Sequence, residues 1–234
     1  MQKSAMKRAK RTAMAMKIIQ NLWQVGGGSL TALEDAAVYL VRFGKQAALI
    51  DAGCGSAHNR LADNISAVLP EGVAIIYLLL THCHYDHVGG AAALKEQYGC
   101  KIVAHQLDAA YLEAGNSDVT AASWYGAKMA ALSIDYKIEG PKKSFKIGQG
   151  EILAYHCPGH SPGSLVYLAE IENQKVLFGQ DVHGPLDPSL LSNREDYIRS
   201  LKFMTALNAD ILCEGHFGVY RGKENIEKFI RSFM

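Results

Sequence analysis

The chain has 234 residues, 49% of them hydrophobic and 20% charged, with 24 Lys and Arg against 23 Asp and Glu. A formal net charge of +1 gives no global field that would recruit a nucleic acid, and the length suits one large domain. Five cysteines (Cys54, Cys83, Cys100, Cys157 and Cys213), odd in number and without a C-x-x-C pair, argue against a disulfide framework and for reduced thiols in a cytoplasm.

Residues 1–17 carry Lys3, Lys7, Arg8, Lys10, Arg11 and Lys17 and read as a basic N-terminal tail, with a single domain expected over residues 18–234. An export signal needs an unbroken apolar run, and Lys17, Gln20 and Asn21 interrupt this one, so neither export nor membrane insertion is expected. Met14 or Met16 is an alternative start. Residues 18–25 predict a strand that ends at Gly26-Gly27-Gly28, and residues 37–43 and 46–51 predict a hairpin around Gly44-Lys45. Leu61, Ile65, Val68 and Leu69 give residues 57–69 a helical period that Pro70 closes.

Residues 74–80 are a short, apolar, partly β-branched run, as in a strand buried on both faces. A helix is expected over 88–98, a short strand over 101–104, and a helical stretch opened by His105, read as buried or capping. Residues 116–132 again have helical spacing and present Trp124, Tyr125 and Met129 to a core or a pocket wall. The second half predicts strands over 145–147, 152–157, 165–169, 175–179 and 210–213, and helices over 194–207 and 224–233. Two mixed sheets packed face to face, with helices outside, is the simplest α+β arrangement of these elements.

The chemistry is concentrated at the end of the central apolar run, in Thr81-His82-Cys83-His84-Tyr85-Asp86-His87-Val88-Gly89-Gly90. So many imidazoles at a strand end either turn to solvent or serve an ion. In extended backbone His82 and His84 project to the same side and can share one metal, while Cys83 points to the opposite face and reads as packing. Asp86 and His87 follow where the chain bends and can face a second position. Gly89 and Gly90 permit close backbone approach as a helix begins. Three later segments end in the same manner, at Pro158-Gly159-His160, Gly179-Gln180-Asp181 and Glu214-Gly215-His216. Together the four segments supply five histidines and two aspartates, enough for two ions with a water position on each.

This ordered set, with the turn Asp51-Ala52-Gly53, resembles the metallo-β-lactamase superfamily, and within it the small glyoxalase II-like hydrolases. The resemblance implies a four-layer αββα sandwich with metals at one edge. It implies that His82, His84 and His160 bind one metal and Asp86, His87 and His216 a second, with Asp181 bridging both. Two divalent ions are implied, with zinc the default and iron or manganese suited to the same donors. A hydroxide shared by the ions would attack a thioester, ester or lactone of a small-molecule substrate, and Asp86 and Asp181 would relay the proton.

Departures from the family shape the substrate expectation. Asp181 argues against lactam hydrolysis, and the 18 residues after His216 are fewer than the helical domain that helps glyoxalase II bind glutathione, which leaves a glutathione thioester possible but unsupported. Gly184 stands where quorum-signal lactonases place a Tyr, and Gln180 replaces the common Gly. His183, Trp124 and Tyr125 are the candidate substrate contacts, and His58 and His156 are left as structural. A rival class is an oxidoreductase of the persulfide dioxygenase type, using one iron on many of the same residues.

Overall fold

The computed structural model describes residues 15–179 and 181–234. Most of the expected basic tail, the alternative start at Met14 and Gln180 lie outside the described residues.

The first sheet is built in sequence order from β1 (Met16–Ile19), β2 (Leu22–Gly26), β3 (Val38–Phe43), β4 (Gln46–Ile50), β5 (Ala74–Leu79), β6 (Lys101–His105) and β7 (Tyr136–Ile138). Its first four strands run as antiparallel neighbours, and the joints β4–β5, β5–β6 and β6–β7 are parallel. Parallel joints need crossovers. Helix α1 (His58–Val68) supplies the first. The pair α2 (Tyr85–Val88) and α3 (Ala91–Tyr98) supplies the second, and α4 (Gln106–Ala114) the third. The second sheet holds β8 (Lys142–Ile147), β9 (Gly150–His156), β10 (Leu165–Ile171), β11 (Gln174–Phe178), β12 (Ile211–Cys213) and β13 (Val219–Arg221) in the order β13-β12-β11-β10-β9-β8. Its parallel joint, β11–β12, is crossed by α5 (Arg194–Ala206), and α6 (Lys223–Arg231) closes the chain.

Side-chain alternation divides the interior into three apolar layers. Val38 and Leu40 of β3 and Ala47 and Leu49 of β4 face Leu61, Ile65 and Leu94 of the helices outside the first sheet. Their neighbours Tyr39, Val41, Ala48 and Ile50 face the other way, against Ile152, Tyr167, Val176 and Phe178 of the second sheet. Leu177 and Leu212 then meet Tyr197, Leu201, Met204, Ile226 and Ile230 of α5 and α6. This is the expected αββα order. All five cysteines are buried and uncrosslinked, and Cys83 packs in the layer outside the first sheet, facing away from His82 and His84. Among the described residues no helix is long and apolar enough to cross a membrane.

Several expectations need correction. Residues 18–25 are not one strand: β1 begins at Met16 and turns at Gln20-Asn21, where Asn21 takes φ 66°, a conformation its short polar side chain tolerates. The helix expected over 88–98 is broken at Gly89-Gly90, because those residues pass against the backbone of Ala52, Cys54 and Gly55 with no room for a Cβ. Residues 116–132 form only a single 3-10 turn, Ala122–Tyr125. Asn116 turns the chain instead, its side chain accepting from the amides of Asp118 and Val119, and Ala121 sits at φ 56°. Met129 is buried in the layer outside the first sheet rather than in a pocket wall.

Candidate metal centre

The site forms where strand ends of both sheets meet. After β5 the backbone bends at Thr81 and again at Cys83 before α2, anchored by Leu165 N donating to Thr81 O at 2.6 Å and Tyr167 Oη donating to Leu80 O at 2.7 Å. His82 and His84 project together, with ring centroids 4.5 Å apart. The loop between β9 and β10 brings His160 to 4.7 Å from His82 and 4.5 Å from His84. One donor atom from each of these three residues falls within 4.8 Å of the others.

Asp86 and His87 lie on the short α2. Asp181 follows β11 and His216 follows β12, and these four form a second group of the same compactness. Asp181 lies between the groups. Its Oδ1 is 3.0 Å from His87 Nε2, and its Oδ2 is 3.5 Å from both His160 Nε2 and His216 Nε2. Asp86 Oδ2 is 3.0 Å from His216 Nε2. All seven residues singled out from the sequence are thus gathered at one edge.

The hydrogen bonds behind the rings fix which nitrogen each presents. Asp51 accepts from Thr81 N and from Thr81 Oγ1, both at 2.8 Å, and its Oδ2 also lies 2.8 Å from His87 Nδ1. A carboxylate only accepts, so His87 Nδ1 carries the proton. The Thr81 hydroxyl is spent on Asp51, and its oxygen then accepts from His82 Nδ1 at 3.0 Å. His160 Nδ1 donates to Pro185 O at 3.0 Å. In all three, Nε2 is the nitrogen turned toward the cluster.

Those Nε2 atoms, with that of His84 and Asp181 Oδ1, are buried and lack a hydrogen-bond partner. Five unsatisfied donor atoms converging on one volume are costly in an apolar interior and are what a cation would satisfy. A Cβ at Gly215 would overlap the Asp181 carboxylate, so the backbone makes room for that oxygen. The donor set fits divalent metal.

Electrostatics separates the two groups. Burial drives the His84 imidazole down to about 3 and keeps His82 and His160 below their ordinary range, so this trio is neutral and open to an ion. Burial opposes charge on His87 as well, yet Asp181, Asp86 and Asp51 outweigh it and raise His87 well above its ordinary value. His216 rises to about 10 against the same burial penalty, through hydrogen bonds to Asp181 and Asp86. Burial likewise disfavours the charged forms of Asp86 and Asp181, but His87 and His216 hold both below the usual carboxylate range. Two cationic imidazoles with two carboxylates are the arrangement of a site where metal displaces protons.

Over the cluster lies a cleft of about 210 Å3, lined by His84, Asp86, Asp181, His216, Trp124, Tyr125 and His183, with Ala121, Pro185 and Leu190. Trp124 and Tyr125 are 53% and 40% exposed, and the Tyr125 hydroxyl lies against Asp86, with burial and that charge raising it above the ordinary phenol range. Among the described residues no Lys or Arg lines the cleft. His105 instead caps α4, its Nδ1 accepting from Leu107 N at 3.3 Å, and His156 stacks on it with centroids 3.8 Å apart, so both are structural.

Sequence reasoning missed three supporting acids. Asp51 holds His87. Asp108 accepts from Cys83 N, Ser161 Oγ and Gly163 N, tying the loop of His82 and His84 to that of His160. Glu214 sits beneath His183 and His216. Only Asp51 had a local signal, its place in an Asp-x-Gly turn after a strand. The partners of Asp108 lie 25 to 55 residues away.

The metallo-beta-lactamase superfamily sequence model matches residues 33–216. The probable metallo-hydrolase YqgX of Bacillus subtilis is 28% identical over 152 residues, covering 62% of this chain and 70% of that protein. A hydroxyacylglutathione hydrolase of Rhodospirillum rubrum is 30% identical over 139 residues, covering 59% of this chain but only 44% of that longer protein. In structure, BJP-1, a subclass B3 metallo-beta-lactamase of Bradyrhizobium japonicum, superposes with TM-score 0.78 over 94% of this chain and 90% of that one at 22% identity, a likeness of fold. With the αββα layers and the edge cluster of His and Asp, the match over residues 33–216 makes this chain a member of the metallo-beta-lactamase superfamily.

Proposed function

We propose that residues 18–234 form a single metal-dependent hydrolase domain that cleaves a thioester, ester or lactone of a small molecule. The observation that carries this reading is the convergence of four buried, unpartnered Nε2 atoms on the Asp181 carboxylate. His82, His84 and His160 would hold one divalent ion and Asp86, His87 and His216 the other, with Asp181 shared between them. Zinc suits this donor set, as do iron and manganese. When bound, such ions supply Lewis acidity and an activated water near neutral pH.

The residues of this chain do the rest. Asp51 and Thr81 orient the rings of His87 and His82 through Nδ1, so that Nε2 already faces the site before the ion arrives. Asp86 and Asp181 border the cleft and are held as carboxylates, placed to accept a proton from the attacking water and pass it to the leaving group. Trp124 and Tyr125 offer an apolar rim and His183 a polar contact, which together suit an uncharged acyl group, because among the described residues no Lys or Arg lines the cleft. Similarity to the hydroxyacylglutathione hydrolase supports the thioester choice. Five buried free thiols support a reducing, cytoplasmic setting.

The test is a panel comprising an acyl-glutathione thioester, an aryl ester, an acyl-homoserine lactone and a β-lactam, assayed with zinc, with chelator and with Asp181→Ala. Thioester, ester or lactone turnover that both chelator and the substitution abolish is expected. Turnover confined to the β-lactam, or persulfide-dependent oxygen uptake by protein purified with one iron, would overturn the proposal.

A further inference from the structure

Glu214 belongs to neither metal-binding group, yet it is fully buried directly beneath them. Its Oε1 accepts from Val182 N and from His183 Nδ1, both at 2.9 Å, and its Oε2 accepts from His216 N and Phe217 N, both at 2.7 Å. Four donors occupy the roughly four lone-pair positions of a carboxylate, so Glu214 has none left for an ion. The close grouping of Asp181, His183 and Glu214 is therefore not a third metal site. None of the three amides belongs to a strand or helix, so this side chain takes the place of a backbone ladder.

Two of the four bonds, those of Oε1, join two loops, and the two of Oε2 close a turn within Glu214's own. One, after β11, carries Asp181 and His183; the other, after β12, carries Gly215 and His216. The bond to His183 has a second effect. Because its partner only accepts, Nδ1 must carry a proton, and the opposite edge of the ring, with Nε2, is turned toward the cleft that His183 lines. Phe217, 4.6 Å away between centroids, and His216, at 5.3 Å, hold the ring from its sides.

We propose that Glu214 is a positioning residue that clips these two loops together, setting Asp181 and His216 for the second ion and aiming His183 Nε2 at the substrate. The inference rests on the dinuclear reading above. Burying a carboxylate is costly and is offset only by such charge-assisted hydrogen bonds, so the clip is in place before ion or substrate binds.

Three measurements on the full chain test it. Zinc content after dialysis against a competing chelator should be two per chain for the wild type and for His183→Ala. For Glu214→Gln it should fall toward one, with the second zinc bound about 10- to 100-fold more weakly. Imidazole 15N spectra of metal-free wild type should show His183 as the Nδ1–H tautomer, and those of Glu214→Gln a mixture. Amide exchange at Val182, His216 and Phe217 should be slow in metal-free wild type, a readout that stands even if Glu214→Gln does not fold. Fast exchange at all three amides, or equal retention of the second zinc by Glu214→Gln, would overturn the clip. If wild type takes up fewer than two zinc ions, the dinuclear reading fails, and the tautomer and exchange data decide the clip separately.

Discussion

At the scale of single residues, the tightest constraint falls on Gly215. A Cβ there would overlap Asp181 Oδ1 and reach 3.1 Å from His87 Cε1, and Asp181 cannot swing aside because His87, His160 and His216 surround it. Gly215→Ala should therefore lower metal affinity and turnover by about 10- to 100-fold. Metal titration by calorimetry would show it, and wild-type affinity would sink the argument. A second prediction concerns His105, which is not among the metal-binding groups. Burial and the stacked His156 depress it to about 4, whereas an unfolded chain takes up that proton near 6.5. A depressed histidine stabilises the fold above pH 6.5, and that contribution is lost as pH falls toward 4. Because Asn also serves as an N-cap, His105→Asn keeps the start of α4 while removing the titration. Its stability, followed by denaturant unfolding from pH 7 to 4, should fall less steeply than wild type, by up to about 1.4 kcal/mol per pH unit. Identical slopes would assign the acid sensitivity elsewhere.

At the scale of elements, the loops that carry His82, His84 and His160 owe their register to helix α4 as much as to the strands that precede them. Asp108 on that helix takes Cys83 N at 2.9 Å, Ser161 Oγ at 2.6 Å and Gly163 N at 2.6 Å, although burial raises its carboxyl above the usual range. Asp108→Ala strands two buried amides, at about 1–3 kcal/mol each, so a loss of about 3 kcal/mol or more is expected. Thermal melts of the metal-free protein would measure it, and a change below about 1 kcal/mol would contradict the bridge. The same bridge shows where sequence stops being legible. His82, His84, Asp86 and His87 were readable because their spacing is local and the apolar run before them marks a strand end. His160, Asp181 and His216 were readable only as a set with that cluster, since a lone Gly-His or Gly-x-Asp is an ordinary turn, and which ion each would hold came from the family resemblance. The roles of Asp108 and Glu214 were invisible, because the bonds that tie one loop to another reach residues 25 to 55 positions away and leave no pattern in the chain. Strands β7 and β13, three residues each, are too short for a period to show. Residues 116–132 misled for the opposite reason: apolar side chains recur at helical spacing there, but Asn116 side-chain bonds and the positive φ of Ala121 set the backbone.

At the scale of the whole molecule, the site joins the two halves of the sandwich. His82, His84, Asp86 and His87 follow strand β5 of the first sheet, while His160, Asp181 and His216 hang from the second. The sheets are otherwise held together by their shared apolar layer, in which Tyr39, Ile50, Tyr167 and Phe178 are almost fully buried. Ions held by both sets of donors would therefore act as a cross-link at one edge of an already packed core. Ligand linkage gives about 2.7 kcal/mol for an ion at a hundredfold excess over its dissociation constant. At about 2–4 °C per kcal/mol for a chain of this size, removing two such ions should lower the thermal midpoint by about 10–20 °C. The loss should also be local. On chelation, amides of residues 81–90, 158–164 and 214–217 should exchange faster, while those of β3, β4, β10 and β11 keep their protection, because the central layer contains no metal donor. An unchanged midpoint would remove the cross-link. Uniform loss of protection across both sheets would mean instead that the ions support the whole core, and that the apolar layer between the sheets cannot hold them together alone.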